Sequence, residues 1–227
     1  MLLLAIARSA LVLPTRLLFR PTVEGRANVP ATGPVILAAN HLSVLDSMVI
    51  PLLAPRPIAF LAKAEYFRRG RLTRPLFTAL AAVPVERGGH RAAQESLESA
   101  LAVLEGGGAF GIHPEGSRSR DGRLYRGRTG VGWLALASRA PVVPVAVLGT
   151  ERAMPVGAWM LRPARITVRF GAPMSFAQQP GAKARRDVTD EIMAAVQELS
   201  GQEPAGGYNE PGSDSAPAVR PRRRTAG

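Results

Sequence analysis

Two short motifs in this chain hold the residue types that could do chemistry. The first spans residues 40–46, Asn-His-Leu-Ser-Val-Leu-Asp. The imidazole of His41 titrates near neutrality, so it could take a proton from a hydroxyl as that hydroxyl attacks. The carboxylate of Asp46, on the other ring nitrogen, would fix the tautomer and stabilise the imidazolium that forms. The motif therefore predicts a general base with a carboxylate partner, with local capping or packing by these side chains as the alternative.

The second motif spans residues 114–119, Pro-Glu-Gly-Ser-Arg-Ser. Glycine at position 116 lets the backbone approach a ligand closely. The guanidinium of Arg118 can grip a phosphate with two parallel hydrogen bonds. An ordinary surface turn in an arginine-rich protein is the alternative. A base and an anion clamp together indicate a reaction at a hydroxyl of a phosphate-bearing substrate.

The elements that must position these motifs alternate between strand and helix patterns. Apolar runs at residues 35–39 and 109–112 predict buried strands that lead directly into the two motifs. Further strands are predicted at residues 58–63, 82–85, 142–148 and 166–170, the last as an edge strand, and helices at 47–53, 92–104, 129–139 and 187–199. Such alternation predicts an α/β fold with a mostly parallel or mixed central sheet flanked by helices. Ligands bind at the carboxyl ends of strands in such folds.

Composition limits the classes of function. The 227 residues are 46% hydrophobic, which is enough for one domain with a substantial core. The formal net charge of +12 comes almost wholly from arginine, because Lys63 and Lys183 are the only lysines. That charge suits an anionic partner, although a bias of the genome toward arginine would also produce it. The chain has no cysteine, which excludes disulfides, thiolate metal sites and a cysteine nucleophile.

The two ends of the chain differ from residues 22–200, which we expect to form the catalytic domain. Residues 1–21 are apolar but interrupted by Arg8, Pro14, Arg16 and Arg20, so they predict neither a signal peptide nor a clear transmembrane helix. They fit an interfacial segment in the plane of lipid headgroups, or a helix packed on the domain. Residues 201–227, rich in glycine, proline, serine and arginine, predict a disordered basic tail.

Taken together, the motifs resemble those of the PlsC-type 1-acyl-sn-glycerol-3-phosphate acyltransferases, a lysophospholipid acyltransferase family. That family is marked by His-x4-Asp, an arginine after a strand, a Pro-Glu-Gly-Thr/Ser-Arg-Ser block and an apolar strand that contains proline. The matching segments here are residues 40–46, 85–88, 114–119 and 142–146. They occur in the same order, and the resemblance runs from about Val23 to Leu199.

The resemblance implies acyl transfer from acyl-CoA or acyl carrier protein to the free hydroxyl of 1-acylglycerol 3-phosphate, giving phosphatidic acid. It makes His41 the general base and Asp46 its orienting partner, in direct attack without a covalent acyl-enzyme. It implies no cofactor and no metal beyond the acyl thioester co-substrate. The remaining implied residues are Lys63, Arg87 and Arg118 for the acceptor phosphate, and Glu115, Gly116 and Ser117 for the acceptor site, with a backbone amide near Gly116 as an oxyanion donor.

The sequence departs from the family pattern at His113, where a bulky apolar or aromatic residue is usual. That histidine either lines the site or fills a pocket. Residues 65–80 interleave aromatic and arginine side chains, which is typical of a surface seated on anionic lipid or of an amphipathic helix whose charges face water. We therefore expect a peripheral or monotopic enzyme on the cytoplasmic face of the membrane.

Three other readings compete with this one. The same chemistry could act on another lysophospholipid, on glycerol 3-phosphate or on a lyso-aminolipid. A basic polyanion-binding module without catalysis would also explain the charge, but we expect no nucleic-acid binding because the positive residues form no recognisable reading element. A serine hydrolase is disfavoured because no Gly-x-Ser-x-Gly elbow surrounds Ser43, Ser47 or Ser117.

Overall fold

The computed structural model describes residues 12–63, 83–85 and 89–209. Two predictions lie outside these residues, namely the aromatic and arginine-rich stretch 65–80 and the phosphate ligand Arg87. The first eleven residues of the predicted interfacial segment and residues 210–227 of the predicted tail also lie outside them.

One seven-stranded sheet organises the described part of the chain, in the order β1-β7-β6-β2-β5-β3-β4. Neighbouring strands run parallel except β6 and β7, which are antiparallel. This confirms the predicted α/β class with a mostly parallel, mixed sheet. The strands are β1 (Thr22–Glu24), β2 (Val35–Ala39), β3 (Ala59–Lys63), β4 (Val83–Val85), β5 (Ala109–Ile112), β6 (Val142–Leu148) and β7 (Thr167–Phe170).

Helices flank the sheet, and three of the described ones agree to within three residues with the helices that the sequence predicts at 47–53, 92–104 and 129–139. They are α1 (residues 12–19), α2 (Asp46–Leu53), α3 (Gly89–Glu105), α4 (Gly130–Ser138), α5 (Thr150–Ala153) and α6 (Ala182–Ser200), with a 3₁₀ turn at Arg26–Asn28. None of the described helices combines the length and the apolar content that crossing a bilayer requires.

The core lies on both faces of the sheet, because the central strand β2 is apolar throughout. Val35 and Leu37 point to one face, where they pack with residues of α1 and α2. Ile36 and Ala38 point to the other face, where they pack with residues of α3, α4 and α6. Every residue of β2 is buried, as expected of a parallel strand covered on both sides.

The register of the central strands brings the two motifs together. β2 lies between β5 and β6, and Ala38 pairs with Ile112 of β5. The loops that follow β2 and β5 therefore leave the same edge of the sheet side by side. The carboxyl end of β6 reaches the same edge, since Ala39 pairs with Val145.

Two of the sequence predictions are wrong in detail. β7 is not an edge strand, because the three-residue strand β1 pairs with its outer side. So short a strand carries too little periodicity to be recognised from sequence. Helix α6 begins at residue 182 rather than 187, and the extra turn includes an ion pair between Lys183 and Asp187.

Residues 201–209, which the sequence assigned to the disordered tail, are held against the domain. The amide of Leu124 donates to the carbonyl of Glu203 (2.9 Å), and the amide of Arg126 donates to that of Gly207 (2.8 Å). Asn209 is buried, and its side-chain nitrogen lies 3.1 Å from the carbonyl oxygen of Arg118. The prediction of disorder from residue 201 onward is therefore wrong for this segment, because polar side chains and backbone groups fix it without an apolar pattern.

The predicted interfacial segment is described only from residue 12. Thr15 and Phe19 of α1 are buried, which confirms that this helix packs on the domain. Leu13 and Leu17 are exposed on the same helix. The packed and the exposed residues fall on opposite sides, so packing on the core leaves an apolar surface uncovered.

Candidate active site

The side chains of His41 and Asp46 meet in the loop between β2 and α2. Nδ1 of His41 lies 2.9 Å from Oδ2 of Asp46. The loop turns back on itself because Oδ2 also accepts the amide N–H groups of Leu42 (2.7 Å) and Ser43 (2.8 Å). The prediction that a five-residue offset can pair these side chains across the start of a helix is confirmed.

Asp46 is fully buried, and donors surround both of its oxygens. The hydroxyl of Thr150 donates to Oδ1 at 2.5 Å, from the start of α5 beyond the end of β6. Burial raises the pKa of Asp46 above its ordinary value, and the hydrogen bonds from Ser43, Thr150 and Leu42 lower it. Because a carboxylate only accepts, Asp46 places the proton of His41 on Nδ1 and makes Nε2 the basic nitrogen.

His113 stacks on the ring of His41. The ring centroids are 3.9 Å apart, and the planes differ by 6°. Nδ1 of His113 lies 3.0 Å from the carbonyl oxygen of Asn40, and Nε2 lies 3.0 Å from the hydroxyl oxygen of Ser47. A carbonyl only accepts, so Nδ1 carries the proton and Nε2 accepts from Ser47. The sequence left open whether His113 lines the site or packs, and the structure shows that it packs directly against the candidate base.

The charge state of His113 follows from its surroundings. Burial, followed by the neighbouring His41, lowers the pKa of His113 to about 3. It is therefore a neutral ring near pH 7. Its hydrogen bonds fix the orientation of its ring, and stacking holds the ring of His41 parallel to it.

The turn after β5 requires glycine at position 116. Gly116 has φ of +79°, and its amide donates to the carbonyl of His113 at 3.1 Å. A Cβ atom there would lie 2.8 Å from Nε of Arg128. The left-handed conformation and the close side chain both exclude a larger residue. The amide of Gly116 is engaged within the turn, so an oxyanion donor in this loop would have to be a different amide.

Glu115 acts on the site through the backbone of His41. One carboxylate oxygen accepts the amide of His41 at 2.8 Å, and the other accepts the amide of Tyr125 at 2.9 Å. The carbonyl of His41 in turn accepts the amide of Ser119 at 2.7 Å. The second motif therefore holds the backbone of the first on both sides, a role that the sequence did not reveal.

Burial raises the pKa of Glu115 to about 7. The amides of Tyr125 and His41 oppose that shift, and the charges of Asp46 and Asp121 add to it. Glu115 therefore changes its charge near neutral pH while remaining buried between two loops.

The predicted phosphate ligands are only partly described. Arg118 lies in the loop after Gly116 and is partly buried. Lys63 is the last residue of β3, which pairs with β5, and Arg87 lies outside the described residues. Two partly buried side chains of this loop have buried polar atoms without a hydrogen-bond partner among the described residues, namely the hydroxyl oxygen of Ser117 and all three guanidinium nitrogens of Arg120. Sequence reasoning missed Arg120, whose only signal was its place directly after the motif.

Three further residues support the pair in a way that the sequence did not predict. Thr150 follows a strand that ends at the same edge of the sheet, and Ser47 lies on the first turn of α2. The side chain of Asn40 bonds both backbone groups of Val147 on β6, at 2.9 and 2.7 Å. Strand order places Thr150 and Val147 beside the loop of His41, whereas Asn40 and Ser47 are near it in the chain.

Comparison with known proteins agrees with this geometry. The sequence profile of the family described as Acyltransferase matches residues 20–148, which is more than half of the chain. The chain belongs to the acyltransferase family. The profile spans both motifs and the strands from β2 to β6 that position them.

Relatives of this acyltransferase family member share between a quarter and about a third of the aligned residues. It is 35% identical over 141 residues to a 1-acyl-sn-glycerol-3-phosphate acyltransferase of Limnanthes douglasii, covering 62% of this chain and 50% of that protein. It is 28% identical over 129 residues to a protein of the same name from Borreliella burgdorferi, covering 57% and 51%. The chain therefore spans about half the length of the curated relatives it matches.

A solved structure supports the same assignment of fold. The 1-acyl-sn-glycerophosphate (LPA) acyltransferase PlsC from Thermotoga maritima is 27% identical, with a TM-score of 0.62. The match covers 79% of this chain and 72% of that one. The sheet that carries His41 and Asp46 in this family member is therefore similar to that of PlsC.

Proposed function

We propose that this protein transfers a fatty acyl group from an acyl thioester to the free hydroxyl of 1-acylglycerol 3-phosphate, giving phosphatidic acid. The observation that carries the proposal is the pair formed by Nδ1 of His41 and Oδ2 of Asp46, 2.9 Å apart. The pair lies at the carboxyl ends of the central strands with the second motif held against it. The names of the relatives agree with this activity.

The proposed reaction uses His41 twice. Nε2 takes the proton of the acceptor hydroxyl as the hydroxyl oxygen attacks the thioester carbonyl carbon. The resulting imidazolium is stabilised by Asp46. When the tetrahedral intermediate collapses, the carbon–sulfur bond breaks and the thiolate takes that proton from His41. The products are an ester and a free thiol, and no covalent acyl-enzyme is needed in a chain without cysteine.

The acceptor phosphate is proposed to bind three cations, namely Lys63 at the end of β3, Arg87 after β4 and Arg118 after β5. Arg120 adds support for an anion near this loop. A guanidinium buried without a partner is costly, and a phosphate would supply the missing charge and acceptors. Glu115, Gly116 and Ser117 would shape the acceptor side of the site by fixing the loop that carries Arg118.

Kinetics of the pair test the mechanism. We expect His41→Ala to lower kcat by about 10²–10⁴-fold, because the proton of the attacking hydroxyl loses its acceptor. Asp46→Asn should lower kcat by up to about 10⁴-fold, since an amide favours the wrong tautomer of His41. Purified protein would be assayed with acyl-CoA and, separately, with acyl carrier protein as donor.

The matched control is Asp187→Asn, which replaces an exposed carboxylate of α6 that pairs with Lys183. It should retain full activity. Turnover by His41→Ala at the rate of the original protein would contradict the proposed mechanism.

The identity of the acceptor is tested separately from the mechanism. The same assay with other lysophospholipids, glycerol 3-phosphate and a lyso-aminolipid would rank them by kcat/KM. Preference for 1-acylglycerol 3-phosphate is the expected outcome. Turnover of another acceptor at a higher kcat/KM would change the proposed substrate but leave the proposed mechanism unchanged. Salt-sensitive polyanion binding without transferase activity would overturn both the proposed acceptor and the proposed acyl transfer. The proposed place of action is the cytoplasmic face of a membrane.

A further inference from the structure

A second feature of the chain lies outside the candidate active site, in the loop between α5 and β7. Its residues 155–162 are named here the Trp159 loop. Trp159 is 86% exposed, and Met160 and Leu161 beside it are also exposed. Three consecutive large apolar side chains in water are unfavourable for a freely dissolved domain.

Backbone hydrogen bonds fix the base of the loop, so its apolar tip is exposed in an ordered conformation. The amide of Arg162 donates to the carbonyl of Ala153 at 2.8 Å, and the amide of Ala158 donates to that of Pro155 at 2.9 Å. The side chains of Met154 and Ala164, on either side of the loop, pack against the core that includes α1 and α2. The structure therefore presents these apolar side chains from a rigid support.

Helix α1 lies next to this base. The amide of Ile166 donates to the carbonyl of Phe19 at 3.1 Å, and the carbonyl of Ile166 accepts the amide of Thr22 at 2.9 Å. Leu13 and Leu17 of α1 are exposed, the latter to 72%. At 100° per residue, they share one side of the helix with the exposed Arg16, and the exposed Arg20 directly follows the helix.

The charged residues of α1 and of the region around the Trp159 loop are all positive. Residues 12–20 and 154–165 contain the exposed arginines Arg16, Arg20, Arg162 and Arg165 and no aspartate or glutamate. Tryptophan and leucine beside arginine are typical of segments that lie at the surface of a bilayer, with apolar side chains in the acyl boundary and guanidinium groups at the phosphates. Uncompensated positive charge selects anionic lipid.

We propose that the Trp159 loop, together with the exposed side of α1, docks this protein on an anionic lipid bilayer by inserting Trp159, Met160 and Leu161 into the interface. The loop also connects to the candidate active site, because the hydroxyl of Ser43 donates to the carbonyl of Met154 at 2.7 Å. Docking through this loop brings the His41 motif close to the membrane. This proposal rests on the proposed function in one respect, because an enzyme with a lipid acceptor has to take that acceptor from a bilayer.

Tryptophan fluorescence tests the insertion directly, because the chain has only two tryptophans, Trp133 and Trp159. Trp133→Phe leaves Trp159 as the sole fluorophore and replaces a partly buried ring of α4 by another aromatic. With vesicles of phosphatidylcholine and phosphatidylglycerol, the emission should shift to shorter wavelength, and lipids brominated on the acyl chain should quench it. Emission unchanged by vesicles that nevertheless bind the protein would overturn the proposal.

Vesicle flotation of the full chain tests the contribution to binding. Replacing Trp159, Met160 and Leu161 together by serine should lower the partition coefficient by about tenfold or more, because the apolar area that enters the interface is lost. The matched control is Tyr208→Ser, which removes the exposed aromatic side chain that bonds Arg186 of α6, on the other face of the sheet. It should bind as the original protein does.

Other results would contradict the docking surface in defined ways. Equal binding of the triple variant, or equal binding to vesicles of phosphatidylcholine alone, would overturn it. A dimer in analytical ultracentrifugation that the triple variant converts to a monomer would assign the loop to a second copy of the chain instead. These measurements need no turnover, so their failure would leave the proposed acyl transfer untouched.

Discussion

At the scale of single residues, the proposed base His41 is held in place by a second histidine. His113 stacks on His41 with a centroid distance of 3.9 Å, and its own position is fixed by hydrogen bonds at both ring nitrogens. A phenylalanine would keep the stack but lose these bonds. The identity of the residue therefore affects how tightly the base is oriented, rather than whether the site forms.

We predict that His113→Phe lowers kcat about tenfold while KM for both substrates changes little, because a loosely held base costs rate and not binding. Ser47→Ala removes only the bond at Nε2 and should have a smaller effect in the same direction. Steady-state kinetics of the two variants would measure the difference.

Unchanged melting temperatures would show that the fold persists in both variants. A proportional rise of KM with no change of kcat would contradict the positioning role of His113 and indicate contact with substrate instead.

At the scale of elements, Glu115 ties the turn after β5 to the loop after β2. Its two oxygens accept amides from His41 and Tyr125, so one side chain joins three loop segments. Burial raises its pKa to about 7, from an ordinary value of 4.5. Between these two values the folded protein binds more protons than the unfolded chain. The free energy of unfolding therefore falls as the pH rises through this range.

We predict that Glu115→Gln removes this contribution, so that the stability of the variant relative to the original protein increases between about pH 4.5 and 7. The full shift corresponds to a change of up to about 3 kcal/mol. Urea denaturation of both proteins at several pH values would measure the difference in slope.

Glu98→Gln is the matched control, because Glu98 is an exposed residue of α3. Its stability curve should run parallel to that of the original protein. A curve for Glu115→Gln that also runs parallel would show that Glu115 is ionised throughout and that the amide donors outweigh its burial.

At the scale of the whole molecule, residues 201–209 pack on the domain rather than extend from it as a tail. Gln202 bonds the side chain of Asn40 (2.8 Å) and the carbonyl of Gly122 (2.8 Å). Asn209 bonds the carbonyl of Arg118, and that of Ser117 at 3.3 Å. The segment that follows α6 therefore contacts both motif loops.

We predict that deleting residues 201–227 lowers the melting temperature and kcat more than deleting residues 210–227, since each lost buried hydrogen bond costs about 1 kcal/mol. Differential scanning calorimetry and the acyltransferase assay would compare the two truncated proteins. Asn209→Ala should reproduce part of the loss, whereas Tyr208→Ser should not. Equal behaviour of the two truncations would contradict a structural role for residues 201–209.

Much of the fold was predictable because local patterns dominate it. The strands at residues 35–39, 109–112 and 142–148 are apolar without interruption, since parallel strands are covered on both faces. The glycines at 106–108 end α3 where the helical period stops. Strand β1 and the place of residues 201–209 were not predictable, because backbone pairing with distant segments holds them and leaves no periodic signal.

For the candidate site, the sequence by itself determined the types and spacing of the proposed catalytic residues, and the family. His41 and Asp46 are close in the chain, so a local turn suffices to pair them. The tertiary structure alone decided the surroundings of that pair. Thr150 comes from the segment after β6, and His113 and Glu115 come from the segment after β5; both segments reach the pair because β2 lies between β5 and β6. Contacts between distant segments depend on strand order, which no local pattern encodes.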